Sequence, residues 1–128
     1  MQLSKLNDKQ RGYIKGLFEG DGYSYHDKKQ RHYTVEFYLN SLRDGDIKEF
    51  LLYLLKKIDL TPHVYKDKRF NCHRIRVRSK GFAGFIEDTS TEETSAGFKI
   101  GFVSGLLDAE GYVNLNKGTI VLFNTDVE

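Results

Sequence analysis

The sequence predicts an α+β fold in the order helix, hairpin, helix, hairpin, helix, followed by the start of a second helix-and-hairpin unit. Three observations carry this. Apolar residues switch between helical spacing and a period of two along the chain. The 128 residues, 39% hydrophobic and 30% charged, suffice for one domain with a real core and not comfortably for two. An unusual octet, "GLFEGDGY" at 16–23, returns as "GLLDAEGY" at 105–112.

Residues 4–20 carry apolar side chains at helical spacing, with Ser4 or Asn7 as cap. From Tyr23 the period becomes two, giving two strands joined near residues 27–30. Tyr33, Val35, Phe37 and Leu39 share one face, and His32, Thr34, Glu36 and Tyr38 the other. In "SLRDGDIKEFLLYLLKKIDL", Asp46 is the expected cap and Phe50, Leu51, Leu54 and Leu55 the buried stripe, with Thr61 and Pro62 ending the helix. "HVYKDKRFNCHRIRVRS" reads as a second hairpin turning near Lys68 to Asn71. "GFAGFIEDTS" reads as a short helix and "TSTEETS" as a linker. A helix follows over "GFKIGFVSGLLDAEG", then a strand "YVNLN", a turn, and a strand "TIVLFN". In "YVNLN" Val113 and Leu115 would face a core and Asn114 and Asn116 outward; Ser24 and His26 hold the inward parity in the first copy. The expected division is residues 1–96 as a first unit and 97–128 as a partial second, which stops before a second helix.

The net charge of +2 leaves any preference for a polyanion to local clustering. Cys72, the one cysteine, excludes an internal disulfide and a cysteine-rich zinc site, and fits a reduced intracellular compartment. The start "MQLSKLNDKQ" is not a signal peptide, and no apolar run approaches membrane-spanning length, so a membrane partner is not expected.

A shift of 89 residues carries Gly12, Gly16, Gly20 and Asp21 onto Gly101, Gly105, Ala109 and Glu110. Spacing by four places each small-residue set on one helical face. An interior glycine costs a helix about 0.5–1 kcal/mol relative to alanine, so two such rows imply that two helix backbones approach closely about a pseudo-twofold axis. Asp21 and Glu110 then fall at neighbouring helix ends, before glycines suited to a left-handed C-cap. The partial negative charge of a helix C-terminus and the like-charged neighbour both disfavour ionisation there. One copy would read as a solvated acid; two copies in register point to a hard divalent cation such as Mg²⁺, suited to phosphate chemistry. Glu19 and Asp108, two positions earlier, read as structural.

"IKGLFEGDG" and "VSGLLDAEG" resemble two copies of the LAGLIDADG motif of homing endonucleases, and the element order matches that family's αββαββα subdomain over essentially the whole chain. The resemblance implies that Asp21 and Glu110 bind a catalytic metal, with the backbone carbonyls of Gly20 and Ala109 as further ligands. It implies an antiparallel saddle sheet lying in the major groove of double-stranded DNA, and cleavage of both strands. On that sheet Arg74, Arg76 and Arg78, alternating with Ile75 and Val77, are the leading DNA contacts. Tyr25, Asp27, Lys29, His32, Thr34, Glu36, Tyr38, Tyr65, Asn114 and Asn116 are further candidates, and Lys80 and Lys99 are candidates for a catalytic lysine. A site-specific endonuclease of intron or intein mobility is the leading reading. Completion by a second polypeptide, origin as a fragment of a larger enzyme, and self-association with exchange of elements all stay open. The alternatives are a non-catalytic nucleic-acid-binding module, such as an RNA maturase or DNA-binding regulator, and a purely structural interaction domain.

Overall fold

A computed structural model describes residues 1–29, 32–67, 69–88 and 95–117, with 111–117 described by backbone alone. After a 3₁₀ turn at Leu3–Lys5, helix α1 (Asp8–Asp21) leads into strands β1 (Gly22–Asp27) and β2 (His32–Asn40). Helix α2 (Gly45–Lys57), strands β3 (His63–Asp67) and β4 (Cys72–Arg78), and helices α3 (Lys80–Glu87) and α4 (Ala96–Lys117) follow. The expected α+β order is borne out as far as α4.

Asn7 caps α1 reciprocally: its side chain accepts from the Gln10 amide at 2.8 Å, and Gln10 accepts from the Asn7 amide at 3.1 Å. Ser79 caps α3 by accepting from the Phe82 amide. The strands form one antiparallel sheet of order β1-β2-β4-β3, so β2 and β4 are central. Their alternation puts Val35, Phe37, Leu39, Ile75 and Val77 on one buried face. Against it pack Ile14 and Leu17 of α1, Leu51, Leu54 and Leu55 of α2, and Phe82, Phe85 and Ile86 of α3.

Helix α4 lies on α1 rather than on the sheet, and the contacts repeat with the same 89-residue offset as the sequence. A Cβ at Gly12 would collide with the Phe98 carbonyl, and one at Gly101 with that of Lys9. Gly16 opposes the Phe102 carbonyl and Leu106 amide, and Gly105 those of Tyr13 and Leu17. Each pair is the image of the other, so the helices run parallel about a local twofold, backbone against backbone. On the axis Gly20 meets Ala109: a second Cβ there would overlap the Ala109 methyl, which explains why the repeat carries alanine on one side only.

Four expectations are corrected. Gly22 is not a left-handed cap; its φ of −120° and ψ of 168° begin β1, and glycine is needed there because a Cβ would overlap the Phe18 ring. Asp44, not Asp46, precedes α2, and its carboxylate turns back to accept from the Asn40 amide at 3.0 Å and from Arg43 Nε at 3.0 Å. The half-buried amide at the strand end takes the buried Asp44 carboxylate as its acceptor, and Asp44 serves there in place of capping the helix. Phe50 lies off the buried stripe, 40% exposed and edge-on to Tyr13 at 5.1 Å, while Ile58 joins the core. Residues 112–116 continue α4 in place of the expected strand. No described strand lies beside them to pair with, whereas a helix satisfies its own amides and carbonyls. The rest of the expected second hairpin lies outside the described residues.

Candidate metal centre and nucleic-acid interface

The glycine seam brings the two acids together. Asp21 is the last residue of α1, and Glu110 is its image on α4. A Cβ built on Gly20 would stand 3.7 Å from Glu110 Oε2, so that carboxylate reaches across to the end of α1. Burial pushes the Asp21 carboxyl above its usual range, the Glu110 and Asp44 charges add to this, and Arg43 opposes it. The donor set is made of hard oxygens and fits a divalent cation that keeps most of its waters; among the described residues no group of three or more His, Cys, Asp or Glu forms a fuller cage. Gly20 sits in the last turn of α1, where carbonyls have no intrahelical donor. Ala109 lies well inside α4, which runs on to Lys117.

A second link joins the helices. Tyr13 donates its hydroxyl to Asp108 Oδ2 at 2.6 Å, and burial, then the bond to that carboxylate, pushes the phenol well above its ordinary range. The image positions are Phe102 and Glu19, which cannot make this bond, so the link exists on one side of the axis only. Tyr13→Phe should cost about 1–2 kcal/mol in urea denaturation while leaving the packing intact, since phenylalanine already fills the image site.

The face of the sheet away from the helices gathers the candidate DNA contacts. By register Glu36 lies between Tyr23 and Arg76, Thr34 between Tyr25 and Arg78, Tyr38 beside Arg74, and Arg74 beside Tyr65. Asp27 pairs with His32 on the same face, and Lys29 follows in the turn, its amide bonded to Asp27 Oδ1 at 3.0 Å. Asn114 and Asn116 are helical in backbone and belong to α4, not to a sheet.

This face is not uniformly wet. Thr34 and Glu36 are buried. Glu36 accepts from Arg76 Nε at Oε2 and from the Tyr38 hydroxyl at Oε1, both at 2.6 Å. Burial works to raise the Glu36 carboxyl, but those two bonds and the nearby guanidiniums prevail and hold it below the usual carboxylate range. Tyr38 is pushed up to about 12, by burial first and then by the bond to Glu36. Because the folded pKa of Glu36 is depressed, its contribution is present above the unfolded value and lost as pH falls through the folded one. Glu36→Gln should therefore cost about 1.5–3 kcal/mol at neutral pH, and the gap to the parent should narrow in acid denaturation profiles.

Neither candidate lysine stands at the acids. Lys80 lies over the Tyr33 ring at 5.7 Å, and Tyr33 pairs with His26 at the far end of β1 from Asp21. Lys99 is in the first turn of α4, about three helical turns before Glu110. The cation felt by Asp21 is Arg43, in the loop before α2; its bidentate grip on Asp44, at 3.0 and 3.2 Å, could not be read from spacing alone. Lys15 was also hidden: it is buried between the Phe85 and Phe98 rings and donates to the Asp88 carbonyl.

A family model described as a LAGLIDADG-like domain matches residues 8–88. An uncharacterized protein of Methanocaldococcus jannaschii is 31% identical over 121 residues, which are 91% of this chain and 43% of that protein. The chain thus spans less than half the length of that curated relative. Among solved structures, mesophilic variants of the homing endonuclease I-DmoI align with a TM-score of 0.62 at 22% identity, covering 80% of this chain and 62% of theirs. I-DmoI in complex with DNA and Mn gives 0.61 at 23%, with the same coverage. An I-DmoI variant in complex with its target DNA and Mn gives 0.64 at 23%, covering 91% of this chain and 71% of that one.

Proposed function

The chain belongs to the LAGLIDADG-like domain family, and from that premise we propose that it is a site-specific, metal-dependent double-stranded DNA endonuclease, or the amino-terminal part of one. The reciprocal seam that brings Asp21 and Glu110 together carries this reading. The similar I-DmoI structures are complexes with DNA and with Mn, Mg or Ca, which supports DNA as substrate and a hard divalent cation such as Mg²⁺ as cofactor. When bound, such an ion polarises a phosphate and lowers the pKa of an attacking water. Asp21 and Glu110 would hold it, with the Gly20 carbonyl at the end of α1; the Ala109 carbonyl, which the family resemblance also implies, lies inside α4 and is the weaker ligand. The seam fixes the spacing of the two carboxylates, and the polar sheet face orients the duplex over them. Arg78, exposed at the end of β4, suits a phosphate contact.

The second reading is a binding module on the same scaffold, a maturase or DNA-binding regulator, or a nuclease that needs a completing chain. It is favoured by α4: Val103 is 43% exposed where its image Ile14 is fully buried under the sheet, and Ile100 is 57% exposed. A second polypeptide, a longer form of this chain, or a second copy would cover that face.

The test is a cleavage selection on a randomised duplex library in Mg²⁺, with and without a completing chain, with Asp21→Asn and Glu110→Gln as controls. Cut products that vanish in both controls establish the endonuclease. Salt-sensitive binding without cutting establishes the second reading. Cleavage that survives both substitutions removes the acids from the chemistry.

A further inference from the structure

We infer that Arg76 alone among the three β4 arginines is built to read a base, and that it selects guanine in the target strand. The inference rests on the DNA reading above and adds what that reading leaves open: which side chain specifies which letter. Arg74, Arg76 and Arg78 share one face and one charge, but the structure holds them differently.

Arg76 is gripped on two sides. Its Nε donates to Glu36 Oε2 at 2.6 Å, and its guanidinium lies over the Tyr65 ring, 4.9 Å from Cζ to the centroid. Glu36 is fixed in turn by its direct cross-strand position and by the Tyr38 hydroxyl on its other oxygen. Each carboxylate oxygen thereby holds one donor, and the ring blocks one guanidinium face. The two terminal nitrogens take no partner among the described residues. An arginine fixed by its Nε edge and one face presents those two nitrogens as a forward-pointing pair of donors. Guanine offers two adjacent acceptors in the major groove, O6 and N7; adenine offers one acceptor beside an amino donor, and the pyrimidine edges offer no such pair. The fork therefore fits guanine and meets a donor clash on adenine.

The neighbours lack this support. Arg74 also lies over Tyr65, at 5.2 Å, but its Nε is buried without a hydrogen-bond partner, and no carboxylate among the described residues hydrogen-bonds its guanidinium. Arg78 ends β4 opposite Thr34, exposed and without an acid beside it in the register. Long side chains that are not held lose more rotamer freedom on binding and suit phosphates, which accept from many directions. Preorganisation of the kind that holds Arg76 removes that cost before the base arrives.

The test is enrichment of binding sequences by the full chain from a randomised duplex library, in parallel for the parent, Arg76→Lys, Arg74→Lys and Arg78→Lys, with thermal melts to confirm folding. Lysine keeps the charge and removes the fork. The expected result is a position fixed as guanine by the parent that Arg76→Lys relaxes roughly 10- to 100-fold, while Arg74→Lys and Arg78→Lys leave it fixed. Glu36→Gln, which leaves every positive charge in place, should relax the same position by freeing the guanidinium plane. The inference is overturned if Arg76→Lys preserves every preference, or if the position it relaxes is not guanine. Failure of the parent to enrich any duplex overturns the DNA reading itself, and this inference with it.

Discussion

Gly16→Val should part α1 from α4 and cost at least about 3 kcal/mol in urea denaturation, among the largest single effects in the chain. The first added atom alone would collide with the Phe102 carbonyl and come within 2.9 Å of the Leu106 amide. Both are backbone atoms inside a helix, so no rotamer change can make room. The helices would have to separate, and the close contacts would be lost along the whole row, at Gly12, Gly101 and Gly105 as well. Gly84→Ala is the matched control. Nothing lies within 4 Å of a Cβ there, in an exposed position of α3, so alanine should stabilise by about 0.5–1 kcal/mol through helix propensity. If valine at 16 is tolerated as well as alanine at 84, the seam is not as close as the structure has it.

Asp21→Asn and Glu110→Gln should each lower Mg²⁺-dependent cleavage about a thousandfold or more, the order expected when several kcal/mol of metal-borne stabilisation is removed. The metal-free protein should respond in the opposite direction. The folded Asp21 carboxyl is held above its ordinary pKa by burial and by the Glu110 and Asp44 charges. The folded state therefore binds that proton more tightly than the unfolded chain, and stability falls as pH rises from the carboxylate range through the folded value. Asparagine removes this loss. In chelator at neutral pH, Asp21→Asn should melt higher than the parent; in acid, where the parent carboxyl is protonated in both states, the gain should disappear. Adding Mg²⁺ should raise the melting temperature of the parent and not of the variant. A variant that loses cleavage and also melts lower in chelator would mean that Asp21 serves the fold and not a metal.

Much of this was legible in the residues. The doubled octet determined which helices meet, in what register, and which acids they carry, because a row of glycines has few other uses in a helix interior. The period of two placed Arg74, Arg76 and Arg78 opposite Ile75 and Val77, and Tyr33, Val35, Phe37 and Leu39 toward the helices. What spacing could not give was the choice between nearby equivalents. "RDGD" offers two acids as caps, and Asp44 was drawn away by the Asn40 amide, a partner four residues back in another element. Gly22 satisfied the rule for a cap, but the demand on it was space beside Phe18. Glu36 read as one more candidate DNA contact on the polar face, and only the cross-strand register shows that it faces Arg76. Residues 112–116 alternate like a strand, and alternation counts only where a neighbouring strand receives it.

The glycine–alanine contact on the local twofold works as a directional key. Two helices of the first kind would leave a gap where the methyl belongs, and two of the second kind would drive methyl into methyl. Only the mixed pair closes flush. Were the polypeptide divided between its two motifs, the pieces should find each other in preference to their own kind, because one carbon atom tells left from right.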